Sequence, residues 1–312
     1  MAEELSVIIP VLNREKLVCR CLDSVKAQTY RPLHVIVVDN HSADSTFRTV
    51  TEWGRANAEP ALRMSLLSEK KPGAAAARNR GFQQVKGDKL CFFDSDDTMR
   101  PDFAAEVMKA FDLNPAANLV TWRTVRHELN GRRHLMKYAS DNFLINHIFH
   151  CVFVTMQYAV RRPFFSNHGI WNENLMAWND YELGFRMLLA DPNVVAVPKV
   201  LADKHQLGNS ITGTSFSPRA GVWERSLETM RATAAKCRRG DRDRLLRLID
   251  YRFMLLAAQY AAEGERELAE KLRRETLARF EGTPSQRRFL KVVYHYRRHG
   301  GRGSAHFANL LL

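Results

Sequence analysis

An acidic cluster directly after an apolar run is the clearest candidate for chemistry in this sequence. Lys89-Leu90-Cys91-Phe92-Phe93 is typical of a buried strand, and Asp94-Ser95-Asp96-Asp97 comes directly after it. Aspartate and serine favour turns, so a plain turn is one interpretation of the cluster. Three carboxylates held close together repel one another unless a cation joins them, and oxygen ligands of this kind suit Mg²⁺ or Mn²⁺. The cluster therefore predicts a divalent metal site able to neutralise a substrate diphosphate.

Two other polar residues are candidates for the same site. Asp39 ends a second apolar run, and Arg78 lies in an alanine-rich helical segment that starts near Gly73. The amino end of a helix favours phosphate, and arginine favours a diphosphate. Taken alone, Asp39 is an ordinary strand-terminal residue, and Arg78 is equally well explained as an exposed arginine on a helix surface.

Alternating strands and helices must position these residues. Continuous apolar runs between amphipathic segments predict a parallel sheet with helices on both faces. Ligands bind beyond the carboxyl ends of such strands, so we expect Asp39 and Asp94 at one ligand-binding edge. The predicted strands are 5–10, 34–39, 64–67 and 89–94, and the predicted helices are 15–27, 42–53 and 73–85.

The turn after the first strand argues against one large class of nucleotide-binding proteins. Pro10-Val11-Leu12-Asn13-Arg14 contains no glycine. A nicotinamide-dinucleotide site needs glycines there, because the backbone must approach the pyrophosphate closely. The usual dinucleotide-binding interpretation therefore fails.

Taken in order, these segments resemble the opening of the family 2 glycosyltransferases. The resemblance is close over about residues 5–100 and looser to about residue 213. It implies a GT-A fold, which is a Rossmann-like, mostly parallel sheet with helices on both faces. It also implies a nucleotide-diphospho-sugar donor and inversion at the anomeric carbon of the sugar. The segments that carry the resemblance are Ser6–Pro10, Asn13–Arg14, Cys21–Val25, Val37–Thr46, Gly73–Gly81 and Phe93–Asp97.

The same resemblance assigns roles to single residues. Asp39 would accept an N–H of the base, Arg78 would contact the base or the diphosphate, and Asp94 would lie near the ribose. Asp96 would be the principal ligand of Mn²⁺ or Mg²⁺. The residues expected to bind the nucleotide-sugar are Pro10, Val11, Asn13, Glu15, Asp39, Arg78, Asp94 and Ser95.

The general base is expected further along, where Trp178-Asn179-Asp180-Tyr181-Glu182-Leu183 opens a helix. By resemblance, Asp180 is the aspartate that removes the proton from the acceptor hydroxyl. Asn179 stands where the family often has a glutamate, which leaves the acceptor contacts open. A helix N-cap is the competing structural interpretation of Asp180.

The segment from Lys204 to Thr212 resembles a loop that closes over the diphosphate in the family. The usual pattern there has an arginine and then a histidine three residues before a serine. In this chain His205 falls at the arginine position and Leu207 at the histidine position. His205 is therefore a candidate second metal ligand, and an ordinary loop histidine is the alternative.

Charge divides the chain of 312 residues, which has a net charge of +13. Residues 214–312 hold 21 basic and 11 acidic residues, a net charge of +10, and residues 1–213 carry only +3. We predict a catalytic domain over 1–213, with a nucleotide-binding half (1–100) and an acceptor-binding half (101–213), followed by a basic helical region over 214–312. In the acceptor-binding half we expect a strand at 152–160, a helix at 180–190 and a short edge strand at 194–197. The helices predicted in the basic region are 220–237, 242–262, 265–280 and 285–298.

The basic helical region suggests a partner as well as a fold. A solvated face on a packed helix is the default interpretation of its charges. The functional alternative is contact with the inner face of a membrane, where a polyprenyl-linked acceptor would lie; a soluble glycan is the other expected acceptor. We expect a cytoplasmic protein with free thiols, since Met1 leads directly into a strand and the five cysteines form no CxxC pair.

Two other functions compete with the transferase. A nucleic-acid-binding protein would fit the positive charge, but no aromatic-rich recognition strand or zinc motif supports it. A catalytically inactive relative that binds a nucleotide-sugar is the second alternative, and the presence of Asp94, Asp96 and Asp180 argues against it.

Overall fold

The computed structural model describes residues 3–57, 59–208 and 215–312. The strands are β1 Leu5–Val11, β2 Leu33–Asp39, β3 Leu62–Ser68, β4 Lys89–Phe92, β5 Thr98–Met99, β6 Leu119–His127, β7 Arg133–Leu135, β8 Tyr158–Arg161 and β9 Val194–His205. The helices are α1 Val18–Lys26, α2 Thr46–Ala56, α3 Ala74–Phe82, α4 Phe103–Leu113, α5 Phe143–His150, α6 Arg162–His168, α7 Asn179–Leu189, α8 Val222–Ala234, α9 Arg239–Ala262, α10 Arg266–Arg279, α11 Pro284–Arg298 and α12 Ser304–Leu311. A short 3₁₀ helix, Ser217–Arg219, precedes α8.

The chain forms two compact units. The first comprises Met1–Phe143 and Cys151–Gly208, and the second comprises Leu144–His150 and Asn209–Leu312. The strands of the described ranges all belong to the first unit, and the helices from α8 onward belong to the second. The predicted boundary between residues 213 and 214 lies outside the described residues.

The sheet of the first unit has the strand order β3-β2-β1-β4-β8-β6-β9-β5, and β7 pairs with β6. The strands β1 to β4 are parallel, as their continuous apolar sequences predict. The later strands mix directions: β8 is antiparallel to both β4 and β6, whereas β6 and β9 are parallel. The fold is therefore α/β, with its parallel part concentrated in the half that was expected to bind the nucleotide.

Helices cover both faces of the parallel strands because successive side chains alternate between the faces. On one face Val7 and Ile9 of β1 join a core with the buried sides of α1, α2 and α4. On the other face Ile8 of β1 and Val38 of β2 pack against Gly81 of α3. Both faces of β1 and β2 are almost entirely buried, and their polar residues before the carboxyl ends are Ser6 and His34.

Two strand predictions in the later part of the first unit need correction. The predicted strand at 152–160 is only Tyr158–Arg161, because an apolar run does not distinguish a buried irregular segment from a strand. The predicted edge strand at 194–197 extends to His205 and lies inside the sheet between β6 and β5. Pro198 cannot donate to the ladder, and the pairing with β6 shifts register at that point before it resumes.

The second unit is built around the long helix α9, which contacts α8, α10, α11 and α12. Asp250 of α9 is buried, and its Oδ1 accepts from Arg231 Nε at 3.1 Å and from Arg279 Nε at 3.2 Å. Removing either arginine would leave a buried charge less well compensated, so this cluster ties three helices together. Among the described residues, no helix combines the length and the apolar character that crossing a membrane requires.

The packing of α3 gives a stability prediction. A Cβ atom on Gly81 would lie 2.5 Å from Ile8 Cγ2 and 3.1 Å from Val38 Cγ2. We expect Gly81→Ala to lower the free energy of unfolding by about 1–3 kcal/mol through overpacking, although alanine favours a helix by about 1 kcal/mol. Urea denaturation measures the change. The matched control is Gly240→Ala in α9, where a Cβ meets no described atom within 4 Å and stability should not fall. Equal stability of the two variants would contradict this packing.

Candidate active site

The acidic cluster forms the turn that joins β4 to β5. The Asp97 N–H donates to the Asp94 carbonyl at 3.1 Å, which closes the turn. Asp97 is 1% exposed and Ser95 is also buried, whereas the Asp94 and Asp96 carboxylates each remain about a quarter exposed. The cluster is therefore a turn that places two carboxylates at the open edge of the sheet, and the metal site predicted there stays a prediction.

Arg78 is the first cation that faces this turn. Its Nη2 donates to Asp94 Oδ1 at 2.8 Å, and its guanidinium lies 4.4 Å from the ring centroid of Trp171. Asn79 holds that tryptophan through two backbone hydrogen bonds, donating to its carbonyl and accepting from its N–H, both at 3.0 Å. Because Arg78 is 5% exposed, it is not an arginine on an exposed helix surface. It is a buried, stacked and ion-paired group.

Lys204 is the second cation at the turn. Residue Thr98 pairs with Asp203 across β5 and β9, which brings the next residue of β9 beside the turn. Lys204 Nζ lies 3.8 Å from Asp94 Oδ2 and 3.7 Å from Asp97 Oδ2. Each oxygen of Asp94 therefore faces its own cation.

These contacts shift the pKa values of the cluster in different directions. Burial alone would raise the pKa of Asp94, but Arg78 and Lys204 outweigh burial and lower it. Burial raises the pKa of Asp97 to about 7 against the opposing charge of Lys204. Burial and the neighbouring Asp94 raise the pKa of Asp96. For Lys204, burial opposes the charged form, but the carboxylates led by Asp97 raise its pKa. The carboxylates therefore favour the charged, ammonium form of Lys204.

Asp39 is the last residue of β2. One of its carboxylate oxygens accepts a hydrogen bond, and the other is available to a ligand. Its Oδ2 accepts from the Ser42 N–H at 3.1 Å. Its Oδ1 is buried and has no hydrogen-bond partner among the described residues. A buried carboxylate oxygen without a donor is costly, and an N–H of a bound base would satisfy it. The next residue, Asn40, donates to the carbonyls of Glu69 and Lys71 and so fixes the segment that leads into α3.

The segment after β1 is bonded to the segment after β2. Asn13 has a positive φ of 52°, its N–H donates to Ser42 Oγ at 2.9 Å, and its Oδ1 accepts from the Ala43 N–H at 2.8 Å. Glu15 Oε2 accepts from the Ser45 N–H at 2.9 Å. These bonds hold the two segments together beside Asp39. The predicted nucleoside residues Pro10 and Val11 end β1 next to them, and their contacts with a nucleoside stay a prediction.

Asp180 lies in the first turn of α7, but it is not the N-cap. The N-cap is Trp178, which has left-handed backbone angles, and Asp180 Oδ1 accepts from the Tyr181 N–H at 2.9 Å. The pKa of Asp180 is raised overall. Burial is the main cause and Asp94 adds to it, and together they outweigh Arg78 and Lys204, which lower this pKa. The N-cap interpretation of Asp180 is therefore wrong, although its carboxylate does accept a backbone N–H of the first helical turn. Its role as the general base stays a prediction.

His205, the second candidate metal ligand, has partners of its own within the sheet. His205 Nε2 lies 3.1 Å from Thr98 Oγ1, and its ring stacks on His127 with the centroids 4.8 Å apart. Burial, followed by Arg20 and His127, lowers the pKa of His205 to about 4, so its imidazole is neutral. Within the described ranges, no three side chains of His, Cys, Asp and Glu converge as a metal site. Residues 209–212 of the predicted diphosphate loop lie outside the described residues, and the role of His205 stays a prediction.

Asp96 fits a divalent cation better than its neighbours do. Its Oδ2 lies 4.0 Å from Arg14 Nη2, a long ion pair, and its side chain is 24% exposed. Mg²⁺ and Mn²⁺ are commonly held by one or two carboxylates together with substrate phosphates and water. Asp94 and Asp97, by contrast, already face Arg78 and Lys204.

Three contributors to this site carry little or no signal in the sequence. Trp171 gave none, because isolated aromatic residues in loops occur throughout the chain, and Asn40 lies within the Val37–Thr46 motif, which assigned it no role. Lys204 stands out only as part of a loop motif that assigns it no role. Lys204 also follows an apolar strand, and the pairing of that strand with β5 places the lysine beside the acidic turn.

Comparisons with known proteins bear on the family and on the fold. The sequence model of glycosyl transferase family 2 matches residues 6–170, which is more than half of the chain. The amylovoran biosynthesis glycosyltransferase AmsB of Erwinia amylovora is 38% identical over 98 residues, which cover 31% of this chain and 32% of AmsB. The chain matches about a third or less of the length of such curated relatives.

Solved structures share the fold over nearly the whole chain. Staphylococcus aureus TarS 1-349, solved with UDP-GlcNAc, has a TM-score of 0.70 and 18% identity, covering 95% of this chain and 88% of that one. The mannosyltransferase PcManGT of Pyrobaculum calidifontis, solved with GDP-Man and Mn²⁺, has a TM-score of 0.57 and 18% identity, covering 98% and 86%. At this level of identity the likeness shows the fold alone.

Proposed function

Because the chain belongs to glycosyl transferase family 2, we propose that it moves a sugar from a nucleotide-diphospho-sugar to an acceptor hydroxyl. The acceptor is a glycan or a lipid-linked sugar, and a UDP-sugar is the preferred donor. One observation carries this proposal: at the carboxyl edge of the sheet, the buried Arg78 donates to Asp94 Oδ1 at 2.8 Å, and Asp39 holds a buried Oδ1 without a hydrogen-bond partner among the described residues.

Residues 1–100 form the donor half in this proposal, and residues 101–213 form the acceptor half. The base enters beside Pro10 and Val11 and donates an N–H to the free Oδ1 of Asp39. Asn13 and Glu15 support this end through their bonds to the β2–α2 segment. UDP is favoured because TarS, which has the same fold, was solved with UDP-GlcNAc.

The other end of the donor meets the acidic turn. Asp94 and Ser95 lie beside the ribose, and Arg78 contacts the diphosphate as a guanidinium already oriented by Trp171. Asp96 would hold Mn²⁺ or Mg²⁺. When bound, such an ion neutralises charge on the leaving diphosphate.

Asp180 performs the proton transfer. Its carboxylate removes the proton of the acceptor hydroxyl while the hydroxyl oxygen forms a bond to the anomeric carbon. The bond from that carbon to the diphosphate oxygen breaks on the opposite face, and the electron pair leaves with the nucleoside diphosphate. The configuration of the sugar is thereby inverted, without a covalent sugar–enzyme intermediate. Arg78 stabilises the departing negative charge.

The second unit is proposed to contact an anionic membrane peripherally at its inner face, in line with a cytoplasmic, lipid-linked acceptor. Among the basic residues of α11, Arg287 and Arg297 are used inside the unit, where they donate to backbone carbonyls. Arg288 and Lys291 are exposed on α11, one turn apart, and the adjacent Val292 is 59% exposed. A face that combines lysine, arginine and apolar side chains suits a lipid headgroup layer.

Two substitutions separate chemistry from donor binding. Asp180→Asn should keep Mn²⁺-supported UDP binding and lower the release of UDP from UDP-GlcNAc by at least about 100-fold, since the base is lost. Asp96→Ala should instead remove the gain in UDP affinity that Mn²⁺ gives. Calorimetry measures binding, and a coupled UDP assay measures turnover.

The same measurements can contradict the roles proposed for Asp180 and Asp96 and the transferase function. Turnover that survives Asp180→Asn would show that another group is the base. If Mn²⁺ raises the UDP affinity of the Asp96→Ala variant as much as that of the wild type, Asp96 is not the metal ligand. Wild-type protein that binds neither UDP nor GDP, with or without Mn²⁺, would contradict the function itself.

The pKa of Asp180 predicts the acid limb of the pH–rate profile. The base works only when ionised, and burial raises its pKa above the ordinary aspartate value of about 3.9. Turnover should therefore fall as the pH drops, and the half-maximal point should lie above that ordinary value. The logarithm of kcat/KM plotted against pH shows the limb, because this ratio reports ionisation of the free enzyme. A rate that stays constant down to about pH 4 would contradict the raised pKa.

Vesicle sedimentation tests the membrane surface. The double substitution Arg288→Glu and Lys291→Glu should reduce binding to phosphatidylglycerol vesicles by about tenfold or more, because each basic residue near the surface contributes about 1 kcal/mol. Binding of the wild type should weaken with salt and be absent on phosphatidylcholine. The matched control changes Arg238 and Arg239 to Glu, which gives the same charge elsewhere in the unit. Equal losses in both variants would show nonspecific attraction rather than this face.

A further inference from the structure

Lys204 stands where a second site for a cation would otherwise lie. Its ammonium is within 3.8 Å of one oxygen of Asp94 and within 3.7 Å of one oxygen of Asp97. The backbone holds it in that position: the His205 N–H donates to Asp97 Oδ1 at 2.8 Å, and β9 pairs with β5 just beyond the turn. A divalent ion that bridged Asp94 and Asp97 would have to displace this ammonium.

The charges at the turn are already balanced by side chains of the chain itself. Three carboxylates, those of Asp94, Asp96 and Asp97, face three cations. The cations are Arg78, Lys204 and Arg14. An incoming diphosphate therefore meets a turn that is close to neutral rather than strongly negative, even before a metal ion binds. That condition is unusual for an acidic cluster, since acidic clusters ordinarily repel phosphate.

Lys204 can also reach a ligand. Its side chain is 32% exposed, whereas that of Asp97 is 1% exposed, so the ammonium lies between a buried carboxylate and the open edge of the sheet. Its electrostatic partners include Asp180 as well as the acidic turn. Lysine binds phosphate as a compact point charge, without the planar geometry that arginine needs.

We propose that Lys204 contacts the donor diphosphate and supplies a built-in positive charge there, so that nucleoside diphosphate binding persists without a divalent metal. This inference rests on the proposed transferase function and deepens it. It divides the work at the turn: Lys204 and Arg78 bind the diphosphate at all times, and an ion on Asp96 adds to that binding. The competing explanation is purely structural, with Lys204 serving only to neutralise the buried Asp97.

Calorimetry with UDP and GDP, in excess EDTA and in excess Mn²⁺, tests the proposal on the full chain. Wild-type protein should bind at least one of these nucleotides in EDTA. Lys204→Met should weaken that metal-free binding by about 10- to 100-fold, the range for loss of one charge-assisted hydrogen bond. Lys204→Arg, which keeps the charge, should lose much less. The ratio of UDP affinity to UMP affinity should fall in Lys204→Met, because the second phosphate loses its partner.

The double variant Lys204→Met with Asp97→Asn distinguishes the structural explanation. It removes both charges of the buried pair, so neither carboxylate nor ammonium is left uncompensated at that contact. If Lys204 acts on the diphosphate, metal-free binding stays weak in the double variant. If the double variant regains wild-type affinity, Lys204 only neutralises Asp97 and the proposal is overturned.

The remaining outcomes are equally decisive. UDP and GDP binding that disappears in EDTA would overturn the role of Lys204 and leave the transferase function intact, since metal-supported binding would remain. Absence of binding in both EDTA and Mn²⁺ would overturn both proposals. Thermal unfolding of each variant shows whether it is folded, and a Lys204→Met protein that fails to fold is replaced in the comparison by the charge-balanced double variant.

Discussion

The compensation of the carboxylates in the turn after β4 is the interaction on which the candidate site depends. Asp97 is almost fully buried, and Asp94 has one oxygen on Arg78 and the other facing Lys204. Buried carboxylates without cations would cost several kcal/mol each, so the turn could not keep this conformation alone. The arginine, Arg78, belongs to α3, and the lysine, Lys204, belongs to β9. The positions of these two elements are therefore linked to the chemistry of the turn.

The remaining polar contacts of the first unit extend this site toward the other end of the sheet edge. Asp39 ends the strand next to β1, and hydrogen bonds from Asn13 and Glu15 hold the neighbouring segments together. A nucleoside bound there would lie on backbone that is already ordered, which lowers the entropy lost on binding. Trp171 gives Arg78 the same kind of preorganisation at the proposed diphosphate end. Because both faces of β1 and β2 are buried, the polar groups lie mainly at this edge of the sheet.

In the second unit, too, a buried carboxylate is compensated by arginines of the same unit. It buries Asp250 between two arginines and uses further arginines on backbone carbonyls, so part of its excess positive charge is structural. What remains exposed on α11 is a smaller set that mixes basic and apolar side chains. Net charge counted along the chain therefore overstates the surface that is free to attract an anionic partner.

Local sequence patterns are enough to predict much of this molecule. Continuous apolar runs identify the parallel strands, and two aspartates at their carboxyl ends, Asp39 and Asp94, indicate the ligand-binding edge. The ordered motifs also identify the family correctly. These signals are legible in sequence because burial on both faces constrains every residue of such a strand. The later strands carry no such signal: they mix directions, and a bulge at Pro198 interrupts the longest one. The place of Lys204 beside the acidic turn depends on pairing between strands about 100 residues apart, and no local pattern encodes a contact whose stability comes from charges that meet only when the sheet has formed.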